Sequence, residues 1–122
     1  MKHAINWFAV PTNDLSRAVK FYSSILGSEI EVTQMGPREM AFFPADDGAI
    51  SGHLFKADGF KPSPDGVMIY LNGGNDLQVV LDKVENAGGK IIMPKTQITP
   101  EIGYYAIFID SEGNRVALHS NN

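Results

Sequence analysis

The chain contains no cysteine. That absence excludes a disulfide framework, a thiol nucleophile and a zinc–thiolate site, and it accords with a reducing interior. Runs of basic residues are missing too: ten Lys and Arg are scattered against 14 Asp and Glu, for a net charge of -4. With a pI near 5.2, nothing supplies the electrostatic footprint of a nucleic-acid or anionic-lipid surface. No apolar stretch approaches the roughly 20 residues a membrane span needs. The segment Met1 to Val10 lacks the basic start and longer apolar run of a signal peptide. These absences lead us to expect a soluble, cytoplasmic protein with neither a nucleic-acid nor a membrane partner. What is present suffices for one folded unit, since 122 residues with 43% apolar content can bury a real core.

The chain repeats itself. Residues 13–30, NDLSRAVKFYSSILGSEI, lie over residues 75–92, NDLQVVLDKVENAGGKII, at a constant offset of 62. Leu15, Ala18, Val19 and Tyr22 take positions i, i+3, i+4 and i+7 of an amphipathic helix, and Leu77, Val80, Leu81 and Val84 take them in the second copy. Each helix begins at an Asn-Asp pair whose aspartate, Asp14 or Asp76, can accept from orphan N–H groups, and each ends near a glycine, Gly27 or Gly89. Short apolar runs precede both helices, Ile5 to Val10 and Val67 to Leu71, and β-prone segments follow. Among these, AFFPADDG at 41–48 echoes AIFIDSEG at 106–113 at an offset of 65, which assigns three extra residues to a loop at Pro94 to Gly103. The proline- and glycine-bearing stretch Lys56 to Gly66 reads as the connection between copies. The expected organisation is one α+β domain over 1–122: a first βαβββ module at about 1–57, a linker at about 58–66 and a second module at about 67–122. One such unit leaves one sheet face uncovered by its helix, so two together form a cup with helices on the outer face.

Trp7-Phe8-Ala9-Val10-Pro11 followed by Asp14-Leu15, then Phe21-Tyr22 and Leu26-Gly27, then the late turn Asp110-Ser111-Glu112-Gly113-Asn114, resemble the vicinal-oxygen-chelate superfamily of glyoxalases, bleomycin-resistance proteins and dioxygenases. The resemblance covers nearly the whole chain. It implies two tandem βαβββ modules forming a cup-shaped mixed sheet, often as a homodimer, with a substrate held in the cup beside a divalent metal. It also implies where the metal ligands would stand: on the first and last strands of each module. Here those positions fall on Trp7, on Met68 or Ile69, on Gly52 or His53, and on Ala117. An indole N–H cannot ligate, and neither a thioether nor an aliphatic side chain suits a hard ion. A displaced site using His53 and His119 is the alternative.

Other chemistry is weaker still. Gly73-Gly74 and Gly88-Gly89 match no phosphate-binding fingerprint. Asp46-Asp47 reads as a solvated turn rather than an acid/base pair. With no catalytic group identified, no cofactor is expected except a divalent metal under the alternative. Strand alternation places Trp7 with Ala9, Met68 with Tyr70, and Arg115 with Ala117 and His119 on the cup face. Trp7, His53, Tyr70, Arg115 and His119 are therefore the candidate ligand-binding residues. Such a lining suits a small aromatic or hydrophobic molecule held by stacking and oriented by one or two hydrogen bonds, as in sequestering resistance proteins.

Overall fold

A computed structural model describes residues 2–122. The first half runs β1 (Phe8–Pro11), α1 (Leu15–Leu26), β2 (Val32–Met35), β3 (Arg38–Phe42) and β4 (Gly52–Phe55). The second runs β5 (Tyr70–Asn72), α2 (Gln78–Leu81), α3 (Val84–Ala87), β6 (Lys90–Thr99), β7 (Gly103–Ile109) and β8 (Arg115–Ser120). Two four-stranded mixed sheets result, ordered β1-β4-β3-β2 and β5-β8-β7-β6, and in each the first strand pairs in parallel with the last. This is the duplicated βαβββ architecture expected from the repeat. No helix among the described residues is long and apolar enough to cross a membrane.

α1 forms where the apolar stripe repeats, and it buries Ala18, Phe21, Tyr22 and Ile25. Asp14 caps it by accepting from Arg17 N–H at 3.1 Å, and Gly27 ends it in the left-handed region at φ 63°. One core runs through both modules: Val10, Ala41 and Leu54 of the first sheet and Leu71, Ala106, Phe108 and Leu118 of the second belong to one cluster with Phe21, Tyr22 and Ile25 of α1, Leu81 of α2 and Val84 of α3. At the parallel seam of the first sheet, Gly52 sits under Phe8, where a β-carbon would meet the Phe8 carbonyl oxygen at 2.4 Å and its ring at 2.6 Å. Only glycine fits there.

Four local expectations are corrected. The second helix is not continuous. It breaks after Leu81, where Lys83 N–H bonds to the Val80 carbonyl in a tightened turn that follows the β-branched pair Val79-Val80. Its left-handed terminator is Gly88 rather than Gly89. The presumed loop from Pro94 to Gly103 is instead mostly strand: β6 runs to Thr99, and the extra residues are absorbed as register shifts between Ile91 and Met93, Met93 and Thr96, and Gln97 and Thr99. Pro94 is accommodated because it falls at such a shift on an edge strand. Both leading strands also start later than their apolar runs, at Phe8 and Tyr70.

Candidate functional site

Register fixes which residues share the open face of each sheet. In the first, His53 pairs with Ala9 of β1 and Phe42 of β3. In the second, Ala117 pairs with Tyr70 of β5 and Ile107 of β7. Because Phe42 and Ile107 are matched by the 65-residue echo, His53 and Ala117 are counterparts, and so are Ala9 and Tyr70. Stepping back two residues along each leading strand makes Trp7 the counterpart of Met68. The ambiguities left by the sequence resolve to His53 over Gly52 and Met68 over Ile69. Gly52 points into the core, whereas His53 is half-buried on the open face.

The four positions that would hold a metal in the family are therefore Trp7, His53, Met68 and Ala117. That donor set does not fit a divalent ion. Only one member offers a nitrogen lone pair, and Trp7 already uses it: the indole Nε1–H donates to His53 Nδ1 at 2.8 Å. The Trp7 ring also meets Phe42 edge-on at 6.0 Å, His53 lies 5.5 Å from Phe55, and Phe55 lies 5.3 Å from Phe60 of the connecting segment. These contacts make one aromatic patch from Trp7 to Phe60. Burial lowers the His53 pKa, which keeps the ring neutral.

The other predicted residues divide between two places. Tyr70 and His119 come together, lining a cavity of about 580 Å³ with Asn72, Ile98 and Ile102. His119 Nε2 lies 2.7 Å from the Ile102 carbonyl oxygen, a contact that ties β8 to the β6–β7 turn. Arg115 stands apart, exposed at the mouth of a cleft of about 160 Å³ shared with Ala9, Pro11 and Asn114. The cavity around His119 does not include His53. No group of three or more His, Cys, Asp or Glu side chains arranged to hold a metal is found among the described residues. A third space of about 660 Å³ is walled by Ile5, Phe8, Phe43, Val67, Met68 and Tyr70.

Sequence reasoning overlooked Phe42, Phe55 and Phe60. Alternation would have found the first two: Phe55 is two residues from His53, and Phe42 lies in the echoed strand. Phe60 has no such signal, because it belongs to a turn held by a bridge between Ala57 and Phe60. The clamp made by the late turn was overlooked as well. Asp110 accepts from Tyr22 Oη at 2.7 Å, and burial, with Asp110 alongside, pushes the tyrosine pKa well up. Glu112, its side chain wholly buried, accepts from the N–H groups of Asn13 and Asp14 and from both Arg17 Nε and Nη2.

Comparison with known proteins accords with this geometry. A model of the Glyoxalase/Bleomycin resistance protein/Dioxygenase superfamily matches residues 4–118. A glyoxylase-like domain-containing protein from Didymella fabae is 29% identical over 119 residues, spanning 93% of this chain and 91% of that protein. Among solved structures, a glyoxalase/bleomycin resistance protein from Albidiferax ferrireducens T118 superposes with a TM-score of 0.77 at 15% identity, covering 98% of this chain and 100% of that one. A V278E glyoxalase I mutant from Zea mays gives 0.66 at 22% identity, covering 94% of this chain but 45% of the maize chain.

Proposed function

The chain belongs to the glyoxalase/bleomycin resistance protein/dioxygenase superfamily, and on that premise we propose that it is a glyoxalase-like protein that holds a small aromatic or hydrophobic molecule in its cup without a metal. The observation that carries this reading is the Trp7–His53 hydrogen bond. It occupies the one nitrogen donor among the four family ligand positions and places an indole at one end of an aromatic patch centred on His53. Rings of this kind stack on planar ligands and cost little conformational entropy to immobilise.

Trp7 and Tyr70 are 47% and 55% exposed in the isolated chain, so the faces that carry them have room for a ligand and for a second copy. A homodimer that closes the cup is part of the proposal, and sedimentation of the purified protein at micromolar concentration should give twice the monomer mass.

Two measurements test the binding reading. Metal analysis of protein prepared without chelator should find no stoichiometric ion; stoichiometric Ni, Zn, Mn or Fe would sink it in favour of a displaced site built on His53 and His119. In a thermal-shift screen of aromatic metabolites and antibiotics, a compound at 100 times its dissociation constant should add about 2.7 kcal/mol of stability. Absence of any shift across such a panel would count against an occupied cup.

A further inference from the structure

Resting on the reading that the cup binds an aromatic molecule, we infer that His53 is a fixed hydrogen-bond donor, presenting Nε2–H to an acceptor oxygen carried beside the ligand's ring. An indole nitrogen donates and cannot accept. Since Trp7 Nε1 lies 2.8 Å from His53 Nδ1, that Nδ1 must be the acceptor. In the neutral imidazole the single proton then resides on Nε2. Trp7 thus sets the tautomer of His53.

The second nitrogen is available. His53 makes no other side-chain hydrogen bond among the described residues. No buried side-chain nitrogen or oxygen there lacks a partner, so the unpartnered Nε2 reaches solvent. On the same face stand Trp7 just ahead of β1, Ala9 and Pro11 of β1, Met40 and Phe42 of β3, and Phe55 of β4, and the connecting turn adds Phe60. β2 contributes Thr33 and Met35 behind β3. The one charged residue on this face of β3 is Arg38, four strand residues from Phe42 and so about 13 Å along it. Among the described residues no charged group shifts the imidazole, and its pKa is lowered by burial alone. The ring is therefore neutral near pH 7.

Two consequences follow for ligand chemistry. A donor embedded among rings favours an aryl ketone, a phenolate or a comparable oxygen acceptor over the same ring system without the oxygen. And while the Trp7 bond holds, neither nitrogen has a free lone pair, so His53 cannot serve as a general base.

Binding of 2-acetylnaphthalene and 2-ethylnaphthalene, two shapes that differ chiefly by one carbonyl oxygen, tests the donor, with Trp7 fluorescence as the readout. In wild-type protein the ratio of their affinities should exceed the ratio in His53→Phe by about three- to tenfold, the worth of one neutral hydrogen bond. An unchanged ratio overturns the donor role and leaves aromatic binding standing. If neither compound binds the wild-type protein, both readings fall. Independently of any variant's folding, long-range 15N–1H spectra of wild-type protein at pH 7 should show His53 with unprotonated Nδ1 and protonated Nε2. The reverse tautomer, or an averaged pair, overturns the inference.

Discussion

The two modules share a plan and differ in how their final turns are used. In the first, the turn after β3 carries Ala45, Asp46 and Asp47 out into solvent. In the second, the matching positions are Asp110, Ser111 and Glu112, and the first and last of these are buried. Asp110 accepts from the N–H groups of Glu112 and Asn114 and from Tyr22. Glu112 reaches across to the start of α1, and Asn114 donates to the Pro11 carbonyl and accepts from Ser63 N–H. So the start of α1, capped by its own Asp14, is also clamped by the second module, whereas the second module's helix start is held from within that module: Leu77 N–H donates to Ser120 Oγ at 2.9 Å. Duplicated units need not make reciprocal contacts. One copy became the clamp and the other kept an idle turn.

The contrast is broken most sharply at Glu112. Replacing it by Ala strips two backbone N–H groups and the Arg17 guanidinium of their acceptor, which should cost about 2–3 kcal/mol, discounted for the half-exposed arginine. Asp47→Ala, at the echoed position, should stay within about 0.5 kcal/mol. Urea denaturation of both checks the pair, and equal losses would erase the asymmetry.

Next in size is Gly89→Ala. A β-carbon there would meet the Ile109 carbonyl at 2.7 Å and the Phe21 ring at 2.8 Å, where α3 closes against α1. Crowding of backbone and a buried ring should cost about 1–3 kcal/mol by the same denaturation measurement. Gly48→Ala in the idle turn meets no atoms, so only its φ of +79° resists, at about 1 kcal/mol.

The capping aspartates sharpen the comparison further. Asp14→Ala should cost about 1 kcal/mol because it caps a helix of 12 residues. Asp76 accepts from Gln78 N–H and from Lys95, but ahead of a four-residue helix and half-exposed. Its replacement should cost about half as much or less.

The smallest effect is a dependence on pH. Burial alone would raise the Glu112 pKa, yet bonds from Arg17, Asp14, Ser111 and Asn13 carry it below the usual carboxylate value. A depressed carboxylate contributes stability that is present above its unfolded pKa and lost as pH falls through the folded one. Glu112→Gln should therefore flatten the acid limb of the stability profile below about pH 4.5. His53 acts in the same direction higher up: its folded pKa is lowered, so stability declines as pH drops below about 6.5 toward the depressed value.

Much of this was legible beforehand because it rests on periodicity. The faces of α1, the Asp14 cap and the Gly27 terminator are local signals, and each appears where the spacing put it. The split of the second helix and the bulged course of β6 were not legible: the first is a tightened turn at Lys83 in a segment packed on α1, and the second arises in the pairing of β6 with β7, neither of which periodicity encodes. At the site, alternation put Trp7, Tyr70, Arg115 and His119 on the cup face but left His53 undecided against Gly52 and gave no measure of distance, so neither the Trp7–His53 bond nor the pairing of Tyr70 with His119 could be read from it. The clamp stayed hidden because an acidic turn looks the same in sequence whether solvated or buried; only the partner chain segment, Asn13 to Tyr22, decides it.

The glycine under Phe8 has a counterpart too. By register Gly52 corresponds to Val116, and Phe8 to Ile69, so one seam divides its bulk as very large plus none and the other as two medium side chains. The same number of side-chain carbons is allocated in opposite ways. A chimaera that exchanged β1 for β5 alone would place Phe8 against Val116 and Ile69 against Gly52, overfilling one seam and hollowing the other. Only exchange of whole modules preserves the fit, which makes the module, and not the strand, the smallest transplantable piece of this chain.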